Sequence, residues 1–182
     1  MLYIIVALKS EAQAFVDRYK LKKSSLGDFK LFSNATMRLI VSGIGVDAAR
    51  RATQTVINMY DITDEDIYLN IGICGASKEF SIGELIEIGV LSYEGIRYTV
   101  SDTDTTLTTV TEAISEVGYS IVDMEAYGYY DAVIHSPAIK YFGIYKIVSD
   151  HFQPQSVTKE RTKMLIFNQI DAINELLITR SS

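Results

Sequence analysis

Residues 139–150 read Ile-Lys-Tyr-Phe-Gly-Ile-Tyr-Lys-Ile-Val-Ser-Asp. The run from Ile139 to Val148 is apolar enough for a central strand, and it stops on Ser149-Asp150. A helical pattern follows from about Val157 to about Leu177, with Met164, Phe167, Ile170, Ile173 and Leu177 inward. The same alternation fills the chain on the N-terminal side. Residues 2–7 are a buried strand rich in Ile and Val, and a helix with apolar Ala14, Phe15 and Tyr19 comes next. Segments 28–33 and Arg38 to Ser42 read as strands. The turn Gly43-Ile44-Gly45 opens a helix with Val46, Ala49, Ala52, Val56 and Met59 on one stripe. Further strands are expected at Tyr68 to Ile73, Leu85 to Leu91, Ile96 to Val100 and Ser120 to Met124. Helices are expected at Thr105 to Val117, where the threonines are poor formers, and at Glu125 to Ala132. Strands alternating with helices predict an α/β domain with a largely parallel or mixed sheet. No repeat or linker divides the 182 residues, so residues 1–182 are read as a single domain.

Composition narrows the chemistry. A single cysteine excludes an internal disulfide and a Cys-based zinc site, and two histidines argue against a multi-histidine metal centre. No metal and no cofactor is expected. The net charge of −6 and the lack of a basic stripe argue against a nucleic-acid partner. The start, Met-Leu-Tyr-Ile-Ile-Val-Ala-Leu, has no positive n-region, and no apolar run approaches the roughly 18 residues of a membrane span. A reduced, cytoplasmic protein acting on a small molecule is the expectation, with chemistry drawn from carboxylates, hydroxyls and backbone.

Ligands of α/β folds bind beyond the carboxyl ends of strands. The apolar runs end at Ser10-Glu11, Ser42-Gly43-Ile44-Gly45, Gly72-Ile73-Cys74-Gly75-Ala76, Asp123-Met124-Glu125 and Ser149-Asp150. Three of these carry carboxylates and two carry paired glycines. A carboxylate straight after an apolar strand is costly unless hydrated or paired, and the vicinal hydroxyls of a ribose are natural partners. Each acid also has a plain structural account: Glu11 and Glu125 as first-turn helix acids, Asp150 as a cap. The glycines are equally ordinary turns when taken singly. Cys74 reads as a buried filler, His135 as a helix C-terminal cation, and the polar stretch Ser101 to Thr106 as a loop.

In their order, Ile5-Val6-Ala7-Leu8-Lys9-Ser10-Glu11, Ser42-Gly43-Ile44-Gly45-Val46-Asp47-Ala48-Ala49, Asn70-Ile71-Gly72-Ile73-Cys74-Gly75, Val122-Asp123-Met124-Glu125-Ala126 and Lys146-Ile147-Val148-Ser149-Asp150 resemble the nucleoside phosphorylase superfamily. Within it the chain looks most like a 5′-methylthioadenosine/S-adenosylhomocysteine nucleosidase in a shortened form. The resemblance implies a three-layer phosphorylase/hydrolase-like fold, with a central mixed β-sheet flanked by helices. It implies that Glu125 holds the ribose hydroxyls and Met124 packs on the sugar. Asp150 would donate a proton to purine N7, oriented by Ser149, while Glu11 would position or deprotonate the attacking water. Gly72, Ile73 and Lys146 fall in its substrate-binding segments. Ile73 stands where these nucleosidases often carry a serine, and Lys146 where an arginine is common. The shortening falls between Val90 and Val100, leaving Ser101 to Leu107 to serve as the base loop.

Three functions follow as expectations. The first is hydrolysis of the N-glycosidic bond of a purine nucleoside or related ribosyl metabolite. The second is phosphorolysis, with Arg50 or Arg51 and the Gly43 to Gly45 turn holding phosphate, although Glu11 would repel that anion. The third is nucleoside binding without turnover. A homodimer or larger assembly is also expected, with Tyr127, Tyr129 and Tyr130 either at an interface or in the core.

Overall fold

The computed structural model describes residues 1–115 and 118–180. Its centre is an 11-stranded mixed sheet. Strands β1 (Leu2–Val6), β4 (Met37–Val41), β5 (Ile67–Ala76) and β11 (Tyr141–Asp150) run parallel, in the spatial order β4-β1-β5-β11. Beyond β4, the hairpin of β2 (Lys22–Leu26) and β3 (Phe29–Ser33) closes one edge. The short β6 (Leu85–Glu87) pairs antiparallel with β11. The remaining strands are β7 (Val90–Tyr93), β8 (Ile96–Thr99), β9 (Thr106–Thr109) and β10 (Ile121–Asp123). They continue from β5 in the order β10-β9-β7-β8.

Side-chain alternation makes three layers. On β1, Tyr3 and Ile5 join one apolar cluster and Ile4 and Val6 the other. Helices α1 (Lys9–Tyr19) and α4 (Lys159–Arg180) cover the Ile4 face through Phe15, Ile166, Ile170 and Ile173. Helices α2 (Val46–Met59) and α3 (Ala126–Ile134) cover the opposite face through Ala52, Val56, Tyr129 and Val133. Helix α3 presses onto the start of α2 at Gly128, where any Cβ would collide with the carbonyl oxygen of Val46. Only glycine permits that approach.

The strand β5 changes partner along its length. Its first half pairs with β1 as far as Asn70, and its last two residues, Gly75 and Ala76, pair with β10. The backbone between them is left without a strand on that side, so the sheet forks there.

The structure bears out the mixed sheet flanked by helices and corrects several expected elements. Thr105 to Val117 is not a helix: Thr106–Thr109 is strand β9, lying parallel to both β7 and β10. Glu116 and Val117, the end of that expected helix, lie outside the described residues. The β-branched threonines suit a pleated surface, and propensity there pointed the right way. Leu85 to Leu91 is two strands, because the chain turns between Glu87 and Val90 and the Gly89 carbonyl receives the N–H groups of Val100 and Ser101. Strand β2 was not anticipated, since Lys22-Lys23-Ser24-Ser25 is exposed and polar, as an edge strand can be. Met59, Met164 and Phe167 face outward, 58%, 54% and 41% exposed. In α4 the buried stripe is Thr162, Leu165, Ile166, Ile170 and Ile173, so Met164 and Phe167 lie off its axis. Tyr129 and Tyr130 are buried in the core, and Tyr127 stacks on Tyr93 with ring centroids 4.1 Å apart.

Candidate active site

A cavity of about 320 Å³ opens at the carboxyl ends of β1, β5, β10 and β11. Its lining comes from two sources. Strand ends supply Ala7, Leu8, Glu11, Ile73, Asp123, Met124, Glu125, Ser149 and Asp150. Three loops supply apolar side chains: Ile44 between β4 and α2, Val110, Ala113 and Ile114 between β9 and β10, and Pro154 and Val157 between β11 and α4.

Glu11 lies in the first turn of α1 and reaches back over the end of β1. Its Oε2 accepts the N–H groups of Ala7 (2.9 Å) and Leu8 (2.8 Å), and its Oε1 accepts that of Ile73 (2.9 Å). Ile73 lies in the fork of β5, so the carboxylate takes the place a neighbouring strand would otherwise fill. Gly72 backs it: a Cβ there would lie 2.9 Å from Oε1. Burial pushes the Glu11 carboxyl above its ordinary range, against the three N–H bonds and the Lys146 charge that pull it down.

Glu125 is the N-cap residue of α3, and its Oε1 accepts the N–H of Gly45 at 2.9 Å. Gly45 is in turn the N-cap residue of α2. Burial and the neighbouring Asp123 push the Glu125 carboxyl up to about 7. Asp123 is satisfied on every side. Oδ1 accepts from the Thr109 hydroxyl (2.8 Å), and Oδ2 accepts from the Ala126 N–H (2.8 Å) and lies 2.8 Å from Lys146 Nζ.

Asp150 ends β11. Its Oδ1 accepts the N–H of Gln153 at 2.7 Å, and its Oδ2 lies 2.7 Å from the Ser149 hydroxyl. That hydroxyl is also 3.0 Å from the Cys74 carbonyl oxygen. A hydroxyl has one hydrogen. That hydrogen is shared between the Cys74 carbonyl and Asp150 Oδ2, and the Gln153 N–H and Ser149 hydroxyl together hold the Asp150 carboxyl at the cavity wall. Burial pushes the Cys74 thiol up, which leaves it a neutral wall rather than a nucleophile.

Glu11, Asp150, Met124, Glu125, Ser149 and Ile73 therefore line one cavity. Gly72 and Lys146 do not line it. Gly72 stands behind Glu11, and Lys146 lies beneath the floor, donating to Asn70 Oδ1 at 2.7 Å and paired with Asp123. Ser101 to Leu107 is not the base loop. Thr103 and Ser101 turn their hydroxyls toward the carbonyls of Glu87 and Ile88, and the cavity is bordered instead from Val110 onward. Arg50 and Arg51 do not line the cavity either. Arg50 is bound to Asp131 and Asp47, both at 2.6 Å, and Arg51 lies over the Phe29 ring. Sequence reasoning missed Asp123 and Asn70 as a unit with Lys146. The signal was present: a lysine inside Tyr145-Lys146-Ile147-Val148 requires a buried carboxylate to meet it.

The three-layer α/β fold is shared with solved nucleosidases and a related hydrolase. In particular, the chain folds like the 5′-methylthioadenosine/S-adenosylhomocysteine nucleosidases. The Helicobacter pylori enzyme, solved with butyl-thio-DADMe-Immucillin-A, matches with a TM-score of 0.79 at 12% identity, over 98% of this chain and 97% of that one. The Arabidopsis thaliana 5′-methylthioadenosine nucleosidase matches with a TM-score of 0.74 at 15% identity, over 95% of each chain. The futalosine hydrolase of Helicobacter pylori matches with a TM-score of 0.72 at 12% identity, over 94% of this chain and 97% of that one. The sequence matches no protein-family model and no curated protein. Among the described residues no helix is long and apolar enough to cross a membrane.

Proposed function

We propose that the protein hydrolyses the N-glycosidic bond of a purine nucleoside or a related ribosyl metabolite, of the methylthioadenosine or adenosylhomocysteine type. The observation that carries this is the convergence of Glu11, Glu125 and Asp150 on one cavity whose lining, among the described residues, includes no Arg, Lys or His side chain.

Breaking the bond leaves positive charge on the sugar and negative charge on the base. Asp150 supplies the proton that lets the base leave. Glu125, once ionised, accepts from the ribose hydroxyls, and Met124 packs against the sugar. Glu11 takes a proton from water as its oxygen bonds to the anomeric carbon, and the carboxylates stabilise the oxocarbenium-like centre between them. Atoms balance: water gives hydroxyl to the sugar and a proton to Glu11, and the base leaves with the proton of Asp150. Phosphorolysis would bring an anion among carboxylates with no cation in the cavity wall to receive it. Ile44 at the cavity rim is 60% exposed, and a second copy of the chain covering it would complete a homo-oligomer. A cytoplasmic location fits an unpaired, buried Cys74.

Chromatography of free base from a nucleoside panel, with and without phosphate, tests this. The panel includes methylthioadenosine, adenosylhomocysteine, adenosine, inosine, guanosine and uridine. Release of a purine in phosphate-free buffer is the expected result. Release only with phosphate makes the protein a phosphorylase. Calorimetric binding with no product over many hours makes it a binding protein.

A further inference from the structure

Lys146 is a buried titratable group that the chemistry above leaves unused. It projects from the middle of β11 and is 1% exposed. Its ammonium lies 2.8 Å from Asp123 Oδ2 and donates to Asn70 Oδ1 at 2.7 Å, while the Asn70 amide donates to the Ile5 carbonyl at 3.1 Å. One cation therefore ties together β11, β5 and β10, the strands that end in Asp150, carry the Ile73 N–H, and lead into Glu125. Burying an ammonium is costly unless it is paired and hydrogen-bonded, and here both conditions are met.

The surrounding charges are unequal. Asp123 from β10, Glu125 at the start of α3 and Glu11 from α1 all act on Lys146. Cys74 on β5 also feels its charge, as a neutral thiol, and Asp150 ends β11, the strand of Lys146 itself. Three carboxylates thus share one buried cation. We propose that Lys146 is a positioning residue which, by clamping Asp123 and by its field, sets the charge state of Glu125 and Glu11 and so decides when the cavity can bind ribose hydroxyls and activate water. The proposal rests on the hydrolase reading above for its consequence, not for its physics.

The directions follow from the geometry. Burial alone would lower the Lys146 ammonium, but Asp123, Glu125 and Glu11 together hold it above its ordinary value, so it stays charged. That charge pulls both Glu125 and Glu11 down, while Asp123 pushes Glu125 up. Removing Lys146 leaves three carboxylates in a buried cluster, and like charges that close do not all ionise.

The test is a carboxyl-carbon NMR titration of the ligand-free protein labelled at glutamate, with the Glu125 resonance assigned through Glu125→Gln. In the unsubstituted protein Glu125 should titrate at about 7. Lys146→Met should raise that midpoint by about one pH unit or more, and Asp123→Asn should lower it by a similar amount. The double variant, lacking both charges, should return close to the original midpoint. Lys146→Arg should stay within a few tenths of a unit. Once a substrate is known, the acid limb of kcat/KM should move in step, which a merely structural role would not cause. A folded Lys146→Met with an unmoved Glu125 midpoint overturns the proposal. If that variant does not fold, Asp123→Asn decides alone, and an unlowered midpoint there is equally fatal. Shifted titrations without any base release would refute the hydrolase reading and leave the electrostatic device standing.

Discussion

The strand-end and loop portions of the cavity lining are built differently. Glu11, Asp123 and Glu125 are buried and fixed by backbone N–H groups, a hydroxyl and one ammonium. The stretch Val110–Ser115 has no helix or strand, Ala113 is exposed, and the side chains it offers are apolar and without hydrogen-bonding groups. The strand ends can hold a reacting centre to a fraction of an ångström, because moving any one of them breaks several bonds. The loops can only exclude water and fit a shape. If the protein is the hydrolase proposed above, chemistry and substrate choice are carried by different parts of the chain, and each part can be altered with a different expected signature.

The largest effect belongs to Asp150. Asp150→Asn removes the proton donor while keeping the size of the side chain and a carbonyl to accept from Gln153. Turnover should fall by about a hundred- to ten-thousand-fold with the circular dichroism spectrum unchanged. Retained turnover would transfer the acid role elsewhere and dissolve the distinction.

A second effect is on stability. The Glu125 carboxyl is pushed up from 4.5 to about 7 in the folded protein. A raised folded value means that its favourable contribution is complete below about 4.5 and is lost as pH rises through about 7. Glu125→Gln, which can keep the Gly45 bond, avoids that loss. Its melting temperature should exceed the parent's by several degrees at pH 8, on the order of 2 kcal/mol, and the gap should close below pH 4.5. A gap independent of pH would show that packing, not ionisation, separates the two proteins. The smallest effect is on the loop. Ile114→Ala should raise KM by about tenfold or less and leave kcat within about twofold. A drop in kcat as deep as that of Asp150→Asn would mean that the loop takes part in the chemistry.

The same division explains what could be read from the amino acids. Strands such as Leu2–Val6 and Tyr141–Asp150 declare themselves by apolar runs that stop on acids, and those acids are the ones that meet at the cavity. Thr106–Thr109 declares itself only through its threonines, because its partners β7 and β10 are tertiary and a four-residue run is too short to show a strand period. The loop at Val110 has no periodic pattern at all, so its place at the cavity, in preference to Ser101 to Leu107, depends on where β9 and β10 pair. Lys146 was visible as a charged residue in an apolar strand. Its inward role became definite only with Asp123, 23 positions earlier in the chain, at 2.8 Å.

The seam between α2 and α3 at Gly128 bears on how this protein could change over generations. The two helices begin with Gly45 and Glu125, which bond to each other at 2.9 Å. Their separation is fixed by a carbon atom that position 128 lacks. Any side chain there would wedge α3 outward and draw Glu125 off the Gly45 N–H. Change in the cavity lining is thus channelled into Val110–Ile114 and Pro154–Val157, where side chains can be exchanged cheaply, while the Glu125 carboxylate is kept in place with the joint that carries it.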